Sequence, residues 1–213
     1  MRRHHRFMGL SALLLLFFLA FSVSASPTTP SAAMTRLEQT VRRALAILQD
    51  PTYIGAEQRD NKRRMLQEII YPAFDFQRMA QGAVGVPWKK FTPQQQERFA
   101  LAFRTMLENT YFNMIERYSG EEVTFTNEVP LSNQVLRIDS IVAAKGQKYD
   151  MSYRMYPKGD EWLVFDIIIE GVSVISNYRS QFKQLLQSAN PDIEGLLTKI
   201  QEKNKENSKE TKF

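Results

Sequence analysis

The chain has 213 residues, with 28 Lys and Arg against 23 Asp and Glu, two His and no Cys. Its length fits one domain with a sizeable core, and 43% apolar with 24% charged residues excludes a disordered or multi-span membrane protein. The excess of positive charge lies in Arg2, Arg3 and Arg6 and in the lysine-rich end from residue 199, so it does not favour nucleic-acid binding.

The first 25 residues are typical of a secretory signal peptide. Three arginines precede an apolar run over residues 12–21, and Val23-Ser24-Ala25 predicts cleavage after Ala25. The apolar run is too short to cross a bilayer, which takes about twenty residues. We therefore expect a soluble protein outside the cytoplasm, with an uncleaved anchor as the alternative.

Cleavage would also remove His4 and His5, which leaves a chain with neither His nor Cys. This composition excludes a Ser-His-Asp triad, a Cys nucleophile and a zinc site of imidazole or thiolate ligands. Only carboxylates, Lys and Tyr remain for catalysis. Among the carboxylates, Asp166 alone interrupts an apolar stretch, and we expect a structural partner for it rather than a catalytic role.

Four helices are predicted after the linker at residues 26–31. Apolar residues at helical spacing define them, over residues 34–49, 57–71, 75–81 and 93–118. Asp75 suits the N-cap of the third helix. The fourth starts with Thr92 as cap, Pro93 at the first position and Gln95 three residues after the cap.

From residue 122 the apolar spacing changes to two, which predicts strands. The four segments are residues 122–126, 136–144, 149–155 and 162–169, and the short polar loops between the last three predict an antiparallel meander. Helical spacing returns over residues 172–189 and 191–200. We predict one α+β domain over residues 26–200 and a charged, disordered tail at residues 201–213.

Two sets of side chains have more than one interpretation. Seven basic residues lie on the first two helices and favour a solvated face over an acidic or phosphate-bearing partner: Arg36, Arg42, Arg43, Arg59, Lys62, Arg63 and Arg64. The long helix and the third strand are rich in Met and aromatic residues. Such residues form either a packed core or a surface that adapts to flexible apolar ligands.

One stretch of the chain contains FDFQRMA at residues 74–80, GVPW at 85–88 and TPQQQERF at 92–99. Another contains WLVFDIIIEGVS at 162–173 and NYRSQF at 177–182. These two stretches resemble the signatures of the MlaC / toluene-tolerance (Ttg2-type) periplasmic phospholipid-binding protein family. The similarity runs from about residue 37 to residue 200. The second motif is the more specific, and the first is looser, with Ala83-Val84 where Val-Leu is commoner before Gly85.

The resemblance implies a four-stranded sheet with helices wrapped over one face, enclosing an apolar lipid pocket. It implies a periplasmic shuttle that carries phospholipid between an outer-membrane lipoprotein complex (MlaA-like) and an inner-membrane ABC transporter with an MCE-domain subunit (MlaD-like). Such a protein maintains outer-membrane lipid asymmetry, is not an enzyme, and needs no cofactor, metal or nucleic acid.

The pocket is predicted where the apolar sides of the long helix and the sheet face each other. Its predicted lining is Phe103, Met106, Leu107, Tyr111, Phe125, Leu136, Ile138, Met151, Tyr153, Met155 and Val164. Structural roles are predicted for Asp75, Trp88, Asp166, Gly171, Tyr178 and Arg179, with Asp166 and Arg179 as partners. Two alternatives stay open: a carboxylate-dependent enzyme that uses Asp166 as base, and an interaction module that binds a peptide on the same apolar face.

Overall fold

The computed structural model describes residues 31–116, 120–132, 134–144, 146–186 and 192–210. The predicted signal peptide and its cleavage site precede these ranges and lie outside the described residues. No helix within these ranges is both long enough and apolar enough to cross a membrane.

The described ranges contain six α-helices. They are α1 Ala32–Gln49, α2 Arg59–Ile70, α3 Phe76–Val84, α4 Pro93–Glu116, α5 Val174–Leu186 and α6 Ile193–Glu210. The predicted start of α4 is confirmed, because the Gln95 amide donates to Thr92 Oγ1 over 3.2 Å while the Thr92 amide donates to Gln95 Oε1 over 2.9 Å. This reciprocal pair satisfies two backbone donors and fixes the helix start.

Helix α6 extends further than predicted. The structure continues it to Glu210, so the disordered tail predicted from residue 201 is wrong for residues 201–210, while residues 211–213 lie outside the described part. A contact with α4 stabilises this extension of α6. The side-chain amide of Asn204 donates to the Ala102 carbonyl over 2.9 Å. Within residues 201–206, the charged side chains Glu202, Lys203, Lys205 and Glu206 are exposed on the helix.

The sheet is an antiparallel meander in the order β1-β2-β3-β4-β5. The strands are β1 Glu122–Ser132, β2 Val135–Ala144, β3 Gln147–Lys158, β4 Glu161–Ile169 and β5 Val172–Ser173. The meander is confirmed, but the predicted number of four strands is wrong. Glu170 and Gly171 have φ values of 49° and 77° and close a two-residue turn, which lets the chain pair once more with β4 before α5 begins.

A β-bulge in β4 explains how a carboxylate fits into an apolar strand. Arg154 pairs with Asp166 and Met155 pairs with Val164, so Phe165 is an extra residue between the two pairs. The bulge turns Phe165 and Asp166 to the face that Arg154 occupies, and Val164 and Ile167 keep the opposite face. The apolar side of the strand therefore stays apolar.

The buried apolar residues form two clusters. The sheet cluster joins α1 to one face of the sheet and contains Ala33, Met34, Leu37, Ile138, Tyr153, Met155 and Val164. The helix cluster joins α3, α4, α5 and α6 and is centred on stacked and edge-on rings of Trp88, Phe91, Phe99, Phe103, Tyr178 and Phe182. Ile167 and Phe74 pack against both clusters and connect them.

Candidate functional site

One face of the sheet is largely apolar, with Glu128, Ser140 and Gln147 as polar members. Residues that are paired across neighbouring strands share a face, so the register sorts the side chains into rows. The first rows are Leu136, Met155 and Val164, then Ile138, Tyr153 and Ile167. The next rows are Phe125, Ser140, Met151 and Ile169, then Val123, Val142 and Tyr149.

Burial decreases from one end of this face to the other. Ile138, Met155 and Val164 are completely buried beneath α1. Met151 is partly buried, and Tyr149 in the last row is 39% exposed. Helix α1 therefore covers only the first rows. We call the remaining six apolar side chains the open apolar face: Val123, Phe125, Val142, Tyr149, Met151 and Ile169.

The open apolar face borders the helix cluster. Ile169 packs against that cluster, as do Tyr111 on α4 and Leu185 on α5, and all three side chains are partly buried. Burial raises the pKa of Tyr111 to about 12, which indicates apolar surroundings for its hydroxyl. A surface of Met, aromatic and aliphatic side chains is suited to flexible hydrocarbon rather than to a polar ligand.

The structure divides the predicted lining residues between the two clusters. Phe103, Met106 and Leu107 are buried in the helix cluster, with Tyr111 at its border. The sheet cluster buries Ile138, Tyr153, Met155 and Val164 and carries Phe125, Leu136 and Met151 as partly buried neighbours. The helix and sheet residues thus do not form one continuous buried group, and the open apolar face lies where the two clusters meet.

Sequence reasoning missed Val123, Val142, Tyr149 and Ile169 as members of the open apolar face. Alternation along each strand does place them in phase with the residues that were chosen. The row in which each lies depends on strand register, and the bulge at Phe165 changes that register within β4. Only the paired sheet shows which apolar residues lie beyond the cover of α1.

The predicted structural residues Trp88, Tyr178 and Gly171 support the frame around this face. Trp88 and Tyr178 are buried in the helix cluster, where the ring of Tyr178 meets Phe103 edge-on at 5.2 Å. Gly171 lies in the turn that joins β4 to β5. These three residues position helices and strands and do not belong to the open apolar face.

Asp166 ties β4 to the start of α5. Its carboxylate accepts hydrogen bonds from Arg154 Nη1 at 2.9 Å, the Ser173 hydroxyl at 2.7 Å and the Ile175 amide at 3.2 Å. The expected pairing with Arg179 is wrong, because Arg179 Nε donates to the Gly82 carbonyl on α3 over 2.7 Å. The bulge brings Asp166 opposite Arg154, which sequence spacing does not reveal.

The carboxylate of Asp75 connects the start of α3 to β3. Its Oδ1 accepts from the Arg78 amide at 2.9 Å and caps the helix, as predicted, while its Oδ2 accepts from the Tyr156 hydroxyl and from Lys158 Nζ. The Asp75 amide donates to the Val164 carbonyl over 2.9 Å. Burial alone would raise the pKa of Asp75, but these hydrogen bonds outweigh burial and hold the pKa below its ordinary value.

We expect Asp75→Asn to lower stability at neutral pH and to flatten its dependence on acid. A carboxylate whose pKa is lower in the folded state stabilises the fold above its unfolded pKa of about 3.9, and loses that contribution as the pH falls through the folded value. Urea denaturation between pH 6 and pH 2 measures the effect. Asp160→Asn, at an exposed hairpin residue, is the control. Equal pH profiles for both variants would contradict the linkage.

The acidic residues of the described ranges can act as metal ligands or as members of polar clusters. Within the described residues, no group of three or more His, Cys, Asp or Glu side chains is placed to hold a metal ion. A polar cluster around Glu108 on α4 is held together by its own members, since Glu108 binds Arg63, Gln67 and Tyr71. This cluster joins α2 to α4 and gives Arg63 of the basic helices a structural partner.

Comparison with known proteins places the geometry in context. The family model described as MlaC protein matches residues 38–202. The intermembrane phospholipid transport system binding protein MlaC of Haemophilus influenzae is 25% identical over 161 residues, covering 73% of this chain and 71% of that protein. The toluene tolerance protein ttg2D of Pseudomonas putida is 24% identical over 131 residues, or 61% of each chain.

A solved structure shares the fold. The phospholipid-binding protein from Ralstonia solanacearum, determined in complex with a phospholipid, superposes with a TM-score of 0.73 and 25% sequence identity. The match covers 84% of this chain and 99% of that one.

Proposed function

Because the chain belongs to the MlaC protein family, we propose that it binds phospholipid, with the acyl chains against the open apolar face. The observation that carries this proposal is an apolar face of Met and aromatic side chains that continues beyond the cover of α1. The related Ralstonia protein, whose structure contains a phospholipid, supports it. The polar headgroup can remain in water, so no charged pocket is needed.

The energetics explain why such a carrier is useful. Each methylene moved into water costs about 0.8 kcal/mol, so a two-chain phospholipid that leaves a bilayer faces a barrier above roughly 20 kcal/mol. A protein that covers both chains during transfer removes most of this barrier. Binding needs no chemical step, and the Haemophilus influenzae relative is named as a binding protein of an intermembrane phospholipid transport system.

The cellular role that we propose is a periplasmic shuttle. The predicted signal peptide would export the chain, and the carrier would receive or deliver lipid at an MlaA-like outer-membrane lipoprotein complex and at an ABC transporter with an MlaD-like subunit. This route would maintain the lipid asymmetry of the outer membrane. The relatives named for intermembrane phospholipid transport and for toluene tolerance support the role.

Organic extraction of the purified protein, followed by mass spectrometry, tests lipid binding. We expect phospholipid to be recovered in a fixed molar ratio to protein, and an unrelated exported protein purified in parallel to yield only traces. An extract without phospholipid, together with failure to take up lipid from vesicles, would contradict the proposal and favour a peptide ligand on the same face.

The enzyme alternative gains no support from the position of Asp166. Both of its carboxylate oxygens already accept hydrogen bonds from Arg154, Ser173 and the backbone of α5. The residue is only 2% exposed and lies on the face of the sheet opposite to the apolar rows. A general base needs access to substrate, and this carboxylate has none.

A further inference from the structure

A concave site lies on the other face of the sheet, between α3 and the ends of β3 and β4. It has a volume of about 530 Å³, and its lining includes Gln77, Arg78, Gln81, Tyr156, Lys158 and Phe165. We call this site the basic groove. Its walls are aromatic rings and its charged groups are mostly cations.

Arg78 is held in a position that suits anion recognition. Its guanidinium lies over the ring of Tyr156 at 3.7 Å and over the ring of Phe165 at 4.3 Å. Stacking on two rings holds the planar group, and the N–H donors that do not bond the Tyr156 hydroxyl stay available for hydrogen bonds. The ion pairs found among the described residues do not include Arg78.

The balance of charge around the groove is positive. Lys158 and Asp75 neutralise each other through an ion pair of 3.0 Å. The side chain of Arg179 reaches the rim of the groove, where its Nε donates to the carbonyl of Gly82. Among the described residues, no carboxylate forms an ion pair with Arg179. Arg78 and Arg179 therefore leave two positive charges without a carboxylate on this surface.

The headgroup of a lipid bound on the open apolar face cannot be the anion that binds in the basic groove, because the two sites lie on opposite faces of the sheet. Met155 and Tyr156 are neighbours in an extended strand, so their side chains lie on opposite faces of the sheet. Met155 is buried in the sheet cluster, whereas Tyr156 lines the groove. An anion in the groove must come from another molecule.

The exposed side chain of Val86 indicates that the molecule that supplies the anion is a protein. Its side chain is 85% exposed beside Gly85, and a Cβ atom built on Gly85 would lie 3.6 Å from the Arg179 side chain. An exposed apolar residue next to unpaired cations provides both kinds of contact that a peptide segment makes at an interface.

We propose that the basic groove is a docking site for an acidic segment of a partner protein. A carboxylate of the partner binds the edge of the stacked Arg78, and a second carboxylate reaches Arg179 at the rim. The proposal depends on the shuttle role only because a carrier needs partner proteins that bind it. The basic groove shares no residue with the open apolar face.

The test places negative charge in the groove without removing a contact. Gln77 and Gln81 are exposed residues of α3, so Gln77→Glu with Gln81→Glu should fold normally. Binding of a fluorescein-labelled octaglutamate peptide is measured by anisotropy at several salt concentrations. We expect a salt-dependent affinity that falls at least about tenfold in this double variant. Gln184→Glu with Gln201→Glu, at exposed positions of α5 and α6, changes net charge equally and should change affinity less than about twofold.

Equal loss of affinity in both double variants would overturn the proposal, because it would reduce the effect to net charge. Binding to phosphatidylglycerol vesicles that depends on Gln77 and Gln81, without any effect on peptide binding, would overturn it in favour of a membrane surface. Lipid extraction of the same variants separates the two proposals. We expect the groove variant to retain phospholipid, and lipid missing from every variant would contradict the lipid site and leave the groove unaffected.

Discussion

Met151→Trp is expected to yield a folded protein that carries little or no phospholipid. Met151 lies in the row with Ser140 and Ile169, at the start of the open apolar face, and it is only partly buried. An indole at this position can extend over the face without displacing buried protein atoms. It would occupy the volume that we assign to an acyl chain.

Two measurements check this result together. Mass spectrometry of the organic extract should show a loss of at least about tenfold in lipid per protein, while the melting temperature of the lipid-free protein stays within a few degrees of wild type. Val142→Trp, one row further out, should act in the same direction. A Met151→Trp protein that folds and retains its lipid would place the site elsewhere.

Met106→Trp is the matched comparison, because the sequence predicted the same role for that residue. Met106 is 1% exposed in the helix cluster, where protein atoms surround it. Overpacking of such a site costs about 1–3 kcal/mol in strain. We therefore expect Met106→Trp to lower the free energy of unfolding and to leave lipid binding in the folded fraction largely intact. The two tryptophan variants thus distinguish packed core from lipid-lined space.

Local patterns predicted most of the elements. The Thr92 cap, the change of spacing near residue 122 and the hairpin loops gave the helix start and the order of the four long strands. Each of these features depends on neighbours in sequence. The fifth strand was missed because Val172–Ser173 is only two residues long, and its pairing depends on the turn at Glu170 and Gly171.

The site was harder to predict because its boundaries are set by contacts between distant segments. Periodicity placed Met106 and Met151 on the apolar faces of their elements. It did not show which of the two side chains is covered by other protein atoms. The answer depends on where α1 ends over the sheet and on the register across β2, β3 and β4. The basic groove depends on the contacts of Arg78 with Tyr156 and Phe165, which lie far from it in sequence.

Asp166→Ala is expected to have the largest effect on stability. Its removal leaves the guanidinium of Arg154 unpaired and the amide of Ile175 without its acceptor, and Ser173 loses a partner as well. Arg154 is 39% exposed and water can solvate it in part, whereas the Asp166 side chain is 3% exposed. We expect a loss of about 3 kcal/mol in the free energy of unfolding, measured by urea denaturation at neutral pH.

Comparison with Arg179→Ala tests which partner holds Asp166. If Arg154 is the partner, as the geometry indicates, Arg179→Ala removes only the exposed bond to Gly82 and should cost about 1 kcal/mol or less. Ser173→Ala, which removes one of three donors to the carboxylate, should lie between the two variants. Equal losses for Arg179→Ala and Asp166→Ala would contradict this assignment. An Asp166→Ala protein with unchanged stability but no bound phospholipid would instead mean that the carboxylate acts on the ligand, since no structural contact would then depend on it.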